Sequence, residues 1–183
     1  MIALLRAVNL IGSKSIAMAD LRGLVEALGH ADVQTVVQSG NVIFSTPSRS
    51  PAKLEAALEA AMTQHFGRET HVFVRTASEW QAVVAANPFE REAAEDPSHL
   101  LVMPLRAAPT PAGLVALRAA IPAGERVEAR ERQLYVYYPD GIGESKLRAE
   151  LIERKIGTRS TARNWNTVRK IAAIASERAG RWS

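Results

Sequence analysis

The sequence contains no cysteine and no long apolar run, and these two absences exclude several classes of protein. Without cysteine there is no disulfide, iron–sulfur cluster, thiolate zinc site or thiol nucleophile. No stretch approaches the ~18 apolar residues that a membrane-spanning helix needs. The apolar run Ile2–Leu5 is too short for the core of a signal peptide. We therefore expect a cytoplasmic protein with no membrane partner.

Aromatic residues are also scarce, at 5% of the chain, and they do not form the basic–glycine–aromatic signature of an RNA recognition motif. The remaining composition is typical of a globular protein, since 47% of the 183 residues are hydrophobic and 23% are charged. This length suits one large domain or two small ones.

The formal net charge of +4 is unevenly distributed along the chain. Residues 1–143 carry 13 basic and 15 acidic side chains, a net of −2, whereas residues 144–183 carry ten basic and four acidic ones, a net of +6. Clustered cations suggest an anionic partner, and a solvated basic face is the alternative. The ten basic residues are Lys146, Arg148, Arg154, Lys155, Arg159, Arg163, Arg169, Lys170, Arg178 and Arg181.

The apolar periodicity predicts an α+β fold made of two α/β halves. Residues 1–88 read β-α-β-β-α-β, the order of a ferredoxin-like unit. Residues 89–98 are acidic and rich in turn residues, and we interpret them as a linker. Residues 99–183 read β-α-β-β-α, followed by a basic C-terminal helix that takes the place of a final strand.

Local residues mark several element boundaries. Ser50 as an N-cap and Gly67 as a terminator bound one long helix. A capping box that starts at Thr76 opens another helix. The dipeptide Ser39-Gly40 predicts a two-residue hairpin turn.

The first candidate site is the loop Tyr138-Pro139-Asp140-Gly141-Ile142-Gly143-Glu144-Ser145-Lys146, between a predicted strand and a predicted helix. Backbone N–H groups and the helix dipole at such a junction can hold an anion. The spacing matches neither the phosphate loop nor the dinucleotide motif. The candidate binding residues are Gly141, Gly143, Ser145 and Lys146, and the alternative is an ordinary turn in which Ser145 caps the helix.

The second candidate site lies around the start of the last helix. Arg163, Asn164 and Asn166 flank Trp165, and a guanidinium, amides and an indole can together grip a phosphate and stack on a base. The alternative is a capped amphipathic helix whose Trp165 belongs to the core.

A third group of polar residues interrupts apolar stretches of the first half. Arg6, Asn9 and Lys14 follow the first predicted strand, and Gln38 and Asn41 belong to the predicted hairpin. The ferredoxin-like order gathers strand ends and loops at one rim of the sheet, so these residues can form a polar site. Turn chemistry is the alternative explanation for the hairpin residues.

Patterns that identify metal sites or catalytic centres are missing from the sequence. The four histidines are scattered, no His pair has metal-ligand spacing, and there is no G-x-S-x-G nucleophile motif. We therefore expect no cofactor and no metal, and we assign no catalytic residue.

Several segments together resemble a bacterial family catalogued as domain of unknown function 1697, and the resemblance runs nearly end to end. One departure is Leu10-Ile11-Gly12, where such proteins usually read Val-Gly-Gly. The resemblance implies a two-part α+β protein with ferredoxin-like elements and no established activity. The segments that carry it are Ile2–Asn9, Met18–Leu21, Gln38–Val42, Asn87–Phe89, Tyr138–Gly143, Ser145–Leu147 and Thr161–Thr167.

The preferred hypothesis is a protein that binds a phosphate-bearing ligand, a nucleotide or a nucleic acid, through its basic C-terminal half. Its main contacts are then Lys146, Arg163, Asn164 and Asn166. One alternative is an enzyme for a small anionic metabolite, whose charge basic side chains such as Lys146 neutralise. Another is a protein-interaction module whose basic terminal helix docks on an acidic partner.

Overall fold

A computed structural model describes residues 1–6, 16–67, 69–122 and 124–180. The strands in this part of the chain are β1 (Ile2–Leu5), β2 (Ala31–Val36), β3 (Asn41–Ser45), β4 (Val72–Arg75), β5 (Leu100–Pro104), β6 (Arg126–Arg130), β7 (Gln133–Tyr137) and β8 (Arg163–Asn164). The helices are α1 (Met18–Ala27), α2 (Pro51–Phe66), α3 (Ala77–Ala85), α4 (Glu90–Glu95), α5 (Pro111–Arg118), α6 (Ala149–Ile156) and α7 (Trp165–Gly180). None of the described helices is long and apolar enough to cross a membrane.

The chain forms two compact units, which we call the first and the second unit. The first unit contains residues Met1–Ala82 and the chain from Lys170 onward, and the second contains Val83–Arg169. Each unit holds one four-stranded sheet. The unit boundaries fall within α3 and α7.

The first unit has the predicted ferredoxin-like arrangement. Its strands lie in the order β2-β3-β1-β4, and every neighbouring pair is antiparallel. Successive side chains of a strand point to opposite faces, so Ala3 and Leu5 of β1 face the same way, toward α1 and α2. Burial of these apolar faces holds the two helices on the sheet. The core residues that α1 and α2 contribute are Leu21, Leu24, Val25, Leu54, Leu58 and Met62.

The predicted helix boundaries in this unit are confirmed by capping contacts. The Ser50 hydroxyl accepts a hydrogen bond from the Lys53 N–H at the start of α2, and Gly67 ends α2 in the left-handed region at φ 61°. At the start of α3 the Thr76 hydroxyl accepts from the Glu79 N–H, while the Glu79 carboxylate accepts from the Thr76 N–H. These contacts satisfy backbone donors that have no partner within the helix.

The predicted two-residue turn between β2 and β3 is wrong. Val36 pairs with Asn41, so the loop contains the four residues 37–40. The buried amide of Asn41 donates to the Val36 carbonyl at 2.9 Å and to the Ser39 hydroxyl at 2.7 Å. This side chain therefore closes a wider loop, which a search for short turns does not anticipate.

The second unit repeats the same topology with the strand order β6-β7-β5-β8, again antiparallel between neighbours. The predicted fold class is therefore confirmed. The final strand that the sequence did not reveal is present as β8, which pairs Arg163 with Val102 and Asn164 with Leu101. Two polar residues are too short a run to show strand periodicity.

Residues 89–98, expected to be a linker, contain helix α4. The Arg126 guanidinium lies 5.1 Å from the centre of the Phe89 ring and 5.2 Å from that of Tyr137, and it pairs with the Glu92 carboxylate. These contacts attach α4 and the preceding Phe89 to strands β6 and β7 within the second unit. The acidic composition of residues 89–98 does not indicate that the Phe89 ring is buried.

Helices α5 and α6 approach so closely that Gly113 has little room for a side chain. A Cβ atom there would lie 3.1 Å from the Ile156 Cα and 3.1 Å from the Lys155 carbonyl oxygen, both of which are backbone atoms. We expect Gly113→Ala to lower the free energy of unfolding by roughly 1–3 kcal/mol, as overpacking does. Urea unfolding measures this loss.

Gly23→Ala is the matched control, because Gly23 lies in α1 with open space around its Cα. Alanine is a better helix former than glycine, so this variant should be more stable by roughly 0.5–1 kcal/mol. Equal effects of the two substitutions would contradict close packing at Gly113.

Candidate functional site

The Tyr138–Lys146 loop does not lead directly into a helix. Helix α6 begins at Ala149, and its N-cap Arg148 makes no side-chain capping bond. The predicted capping role of Ser145 is therefore wrong. Its hydroxyl donates to the Glu125 carboxylate and accepts from the Leu147 N–H at 2.9 Å, which fixes the loop instead.

A pocket of about 260 Å³ lies beside this loop, and its charge opposes anion binding. Carboxylates of Glu125, Asp140 and Glu144 line it, against the single ammonium group of Lys146. Gly141 has φ 84° and passes over the His99 ring, where an added Cβ would lie 3.3 Å from Nε2. The positive φ and this close contact explain why glycine occupies position 141 without invoking a bound ligand. Gly143, by contrast, has open space around it.

The residues of the second candidate site have separate structural roles. Arg163 is only 7% exposed and donates to the Thr161 hydroxyl at 2.8 Å and to the Ala162 carbonyl at 2.7 Å. Burial lowers the pKa of its guanidinium to about 10. The Asn164 side chain accepts from the Thr167 N–H and thereby caps α7. Asn166 is exposed, and Trp165 is buried in agreement with the core interpretation.

The structure brings together part of the third candidate group, the polar residues of the first half of the chain. The Leu5 N–H donates to the Gly40 carbonyl at 2.8 Å, so Arg6, which directly follows β1, lies near the β2–β3 loop. Gln38 is exposed in that loop, whereas Asn41 is fully buried. Asn9 and Lys14 lie outside the described residues, and the proposed polar site at this rim stays a prediction.

A pocket in the first unit, which we call the Arg178 pocket, was not predicted. It has a volume of about 320 Å³ and lies between the start of β1, the end of β3, the start of α3 and the last turns of α7. Arg178 donates to the carbonyls of Ile43, at 3.2 Å, and Asp32. The Met1 ammonium group donates to the Phe44 carbonyl at 2.7 Å. The lining residues are Met1, Ile2, Ile43, Phe44, Ser45, Thr46, Thr76, Ala77, Ala175 and Arg178.

The Arg178 pocket has an excess of positive charge, because none of the described residues that line it carries a carboxylate. Burial and the neighbouring Arg178 cation lower the pKa of the Met1 ammonium group. The His30 ring stacks on Phe44 with ring centres 4.7 Å apart, and its pKa is lowered by burial and by the Met1 charge. A bound anion would relieve this repulsion between cations.

Neutral groups of the Arg178 pocket add hydrogen-bonding capacity. Hydroxyl groups of Ser45, Thr46 and Thr76 line it, and each hydroxyl can donate to an anion. Ala77 is the first residue of α3, but the Glu79 carboxylate accepts a hydrogen bond from the Thr76 N–H at this end and compensates the positive end of the helix dipole. Among the described residues, no group of three or more histidine, aspartate or glutamate side chains could hold a metal ion.

Comparison with known proteins identifies the family. The model of a family described as Protein of unknown function (DUF1697) matches residues 1–135. This chain belongs to that family. A solved structure of the conserved bacterial protein SP0830 from Streptococcus pneumoniae is similar, with a TM-score of 0.73 and 18% sequence identity over 95% of this chain and 97% of that chain. At this identity the similarity shows the fold alone, and no curated protein matches the sequence.

In this family member the residues that line the Arg178 pocket lie far apart in the sequence. Met1, Ile43 and Thr76 lie within the matched range, whereas Ala175 and Arg178 lie beyond it. Arg178 belongs to the basic C-terminal segment, so the charge asymmetry was a signal for it. Nothing in the sequence distinguishes it from the other nine cations of that segment, because only the packing of α7 places it at a pocket.

The structural role of Arg163 can be tested by stability. We expect Arg163→Ala to lower the free energy of unfolding by roughly 2–4 kcal/mol, because it removes buried hydrogen bonds from a charged donor. Asn166→Ala changes an exposed side chain and should stay within ~0.5 kcal/mol of the parent. Urea unfolding compares the two, and a stable Arg163→Ala protein would return Arg163 to the ligand-binding candidates.

The lowered pKa values predict the direction of a pH effect. The ordinary pKa values are 8.0 for the Met1 amine and 6.5 for His30, and both are lowered in the folded protein. At a pH between the lowered and the ordinary pKa, each group therefore binds fewer protons in the folded than in the unfolded protein. Stability should therefore rise with pH from each lowered pKa up to its ordinary value. Arg178→Ala removes a neighbouring cation and should raise the pKa of the Met1 amine.

The rate of N-terminal acylation as a function of pH measures the pKa of the Met1 amine. Lys170→Ala is the control, because it removes an exposed cation from the same helix outside the pocket lining. An amine pKa that is the same in Arg178→Ala and in the parent protein would contradict the predicted coupling.

Proposed function

We propose that this protein binds a small anionic ligand, bearing a carboxylate or a phosphate group, in the Arg178 pocket. The observation that carries the proposal is the pairing of a guanidinium and an ammonium group at one pocket whose described lining holds no carboxylate. Hydrogen bonds between charged partners are about twice as strong as neutral ones. The partial burial of the site strengthens the attraction further, because the effective dielectric constant is lower than in water.

The proposal keeps the anionic ligand expected from the sequence but moves its site. Three carboxylates line the pocket beside the Tyr138–Lys146 loop, and Arg163 is buried in strand β8. Arg178, in contrast, reaches a pocket that a small molecule can enter. A cytoplasmic location is part of the proposal, because small phosphorylated and carboxylated metabolites are abundant there.

A nucleic acid is the second candidate ligand, and exposed cations on α7 favour it. Arg169 and Lys170 are both exposed on that helix. Binding through such residues weakens steeply with salt, because each phosphate contact releases counterions. Binding in the Arg178 pocket depends instead on the Arg178 guanidinium and the Met1 ammonium group, which are both partly buried.

The test compares Arg178→Ala with Lys170→Ala, which remove the same charge from the same helix. Isothermal titration calorimetry with acetate, inorganic phosphate and a short oligonucleotide measures binding at two salt concentrations. We expect Arg178→Ala to weaken binding of the small anions by roughly 10- to 100-fold, the value of charged hydrogen bonds. Lys170→Ala should leave their affinity within about twofold.

A further variant separates binding from folding, because Arg178 also holds two backbone carbonyls. Arg178→Lys keeps the charge and should retain part of the affinity, and circular dichroism checks that each variant is folded. Equal losses in Arg178→Ala and Lys170→Ala, or an oligonucleotide as the only ligand bound, would refute the proposed site.

A further inference from the structure

Each sheet ends in a short strand, β4 in the first unit and β8 in the second, and we call these two borders the β4 edge and the β8 edge. Backbone groups that point away from a sheet at its edge can pair with a strand of another chain. The carbonyl of His71, just before β4, faces inward, because it accepts from the Arg6 N–H at 2.9 Å. Residues alternate in direction along a strand, so the backbone groups of Val72 and Val74 face outward.

The β8 edge begins before β8 itself, at residues 159–162. The Arg159 carbonyl and the Thr161 N–H pair with backbone groups at and just beyond the end of β5, at 3.0 and 3.2 Å. These two residues therefore face inward, and the backbone groups of Ser160 and Ala162 face outward.

Glutamates of α2 and α6 bind outward N–H groups of the two edges. The Glu55 carboxylate accepts from the Val74 N–H at 2.9 Å. The Glu153 carboxylate accepts from the Ser160 N–H at 2.8 Å. Each glutamate is the fifth residue of its helix, and the two are only 5% and 6% exposed. The two units therefore cap their edges from the same position of the corresponding helix.

Arginines of the edge strands bind outward carbonyls in both units. Arg75 Nη1 donates to the carbonyl of the preceding residue, Val74, at 2.9 Å. Arg163 Nη1 donates to the carbonyl of its preceding residue, Ala162, at 2.7 Å. Both arginines are buried. At each edge a helix glutamate and a strand arginine thus bind the groups that an added strand would need.

Glu59 extends the cap of the β4 edge. It lies one turn after Glu55 on α2, and its carboxylate accepts from the Val72 N–H at 2.9 Å. Both outward N–H groups of β4 are therefore bound by carboxylates. Glu59 is 28% exposed, so it is the most accessible of the three capping glutamates.

Buried charges are an unusual way to satisfy the edge of a sheet, because water can hydrogen-bond to an open edge. Taking ions out of water costs free energy unless they are paired. Arg75 Nη1 lies 3.9 Å from the Glu55 carboxylate. Arg159 Nη1 lies 3.3 Å from the Glu153 carboxylate. The same paired arrangement occurs beside helices of 16 and 8 residues, so it does not follow from one local sequence motif.

We propose that these side chains close the β4 edge and the β8 edge to strand addition, so that a second copy of this chain cannot extend either sheet there. An added strand must bond to the outward groups, and at Val74 both the N–H and the carbonyl are already bound. The proposal is independent of the anion site, because none of the capping residues lines the Arg178 pocket.

Amide hydrogen exchange tests the caps in the full-length protein. The amides of Val74 and Ser160 should be protected in the parent although no strand lies beyond them. Glu55→Ala should accelerate exchange at Val74 by roughly 10- to 100-fold, as expected for the loss of a hydrogen bond to a charged group. Exchange at these amides as fast as in exposed loops of the parent would contradict the caps.

Sedimentation velocity over a wide range of protein concentration tests strand addition. The double variant Glu55→Ala/Glu59→Ala and the single variant Glu153→Ala should associate more strongly than the parent as concentration rises. Glu153→Gln keeps an acceptor oxygen and should sediment as the parent does. Glu150→Ala, which removes an exposed carboxylate from α6, should do the same. Gly113→Ala is the control for lost stability, because it leaves every cap in place.

Circular dichroism shows which variants are folded. Folded alanine variants that sediment as the parent at every concentration would overturn the proposal, and so would equal association of Gly113→Ala. If the double variant and Glu153→Ala do not fold, Glu59→Ala decides, because water can reach the Val72 N–H once this half-exposed carboxylate is removed. It should accelerate exchange at Val72 and associate more than the parent, and failure of either would overturn the proposal.

Discussion

The complete burial of strand β1 is the constraint on which the first unit depends. All four of its residues are at most 1% exposed, so both faces of the sheet must be covered at this strand. Helices α1 and α2 cover the face of Ala3 and Leu5. On the other face, Ile2 shares the lining of the Arg178 pocket with Ala175. The last turns of α7 and the start of β1 therefore line the same pocket, although they lie at opposite ends of the sequence.

The same packing explains how cations are tolerated at an apolar site. Arg178 lies in the last turn of α7, where a cation is favoured by the helix dipole, and it donates to two strand carbonyls. One of these belongs to Asp32, which has φ 51° next to a register shift in β2. The irregular strand therefore presents a carbonyl to the guanidinium group. These bonds compensate for the lost hydration of the side chain, while its charge still acts on the Met1 ammonium group.

Local signals predicted the parts of the fold that depend on neighbouring residues. The caps of α2 and α3 and the two β-α-β-β-α patterns are local, and the structure confirms them. Strand β8 and helix α4 depend on contacts between distant residues, such as Arg126 over Phe89. The Arg178 pocket belongs to this second class, since its lining ranges from Met1 to Arg178. The loop closed by Asn41 is local, but it depends on the hydrogen bonds of a buried side chain, which a search for two-residue turns does not consider. Among the candidate residues, Ser145 and Arg163 have polar side chains that the structure uses to fix its own loops and strands.

The basic C-terminal segment shows why net charge is a weak guide to a binding surface. Its +6 charge suggests one anionic partner, but several of its cations are engaged within the protein. Arg163 is buried, Arg148 donates to the Gly143 carbonyl at 3.0 Å, and Arg159 lies 3.3 Å from the Glu153 carboxylate. A charge contributes to binding according to its surroundings, because water and salt screen exposed groups far more than partly buried ones. Arg178 is only partly exposed, at a pocket without a described carboxylate, so its charge is screened less than those of the exposed Arg169 and Lys170 on the same helix.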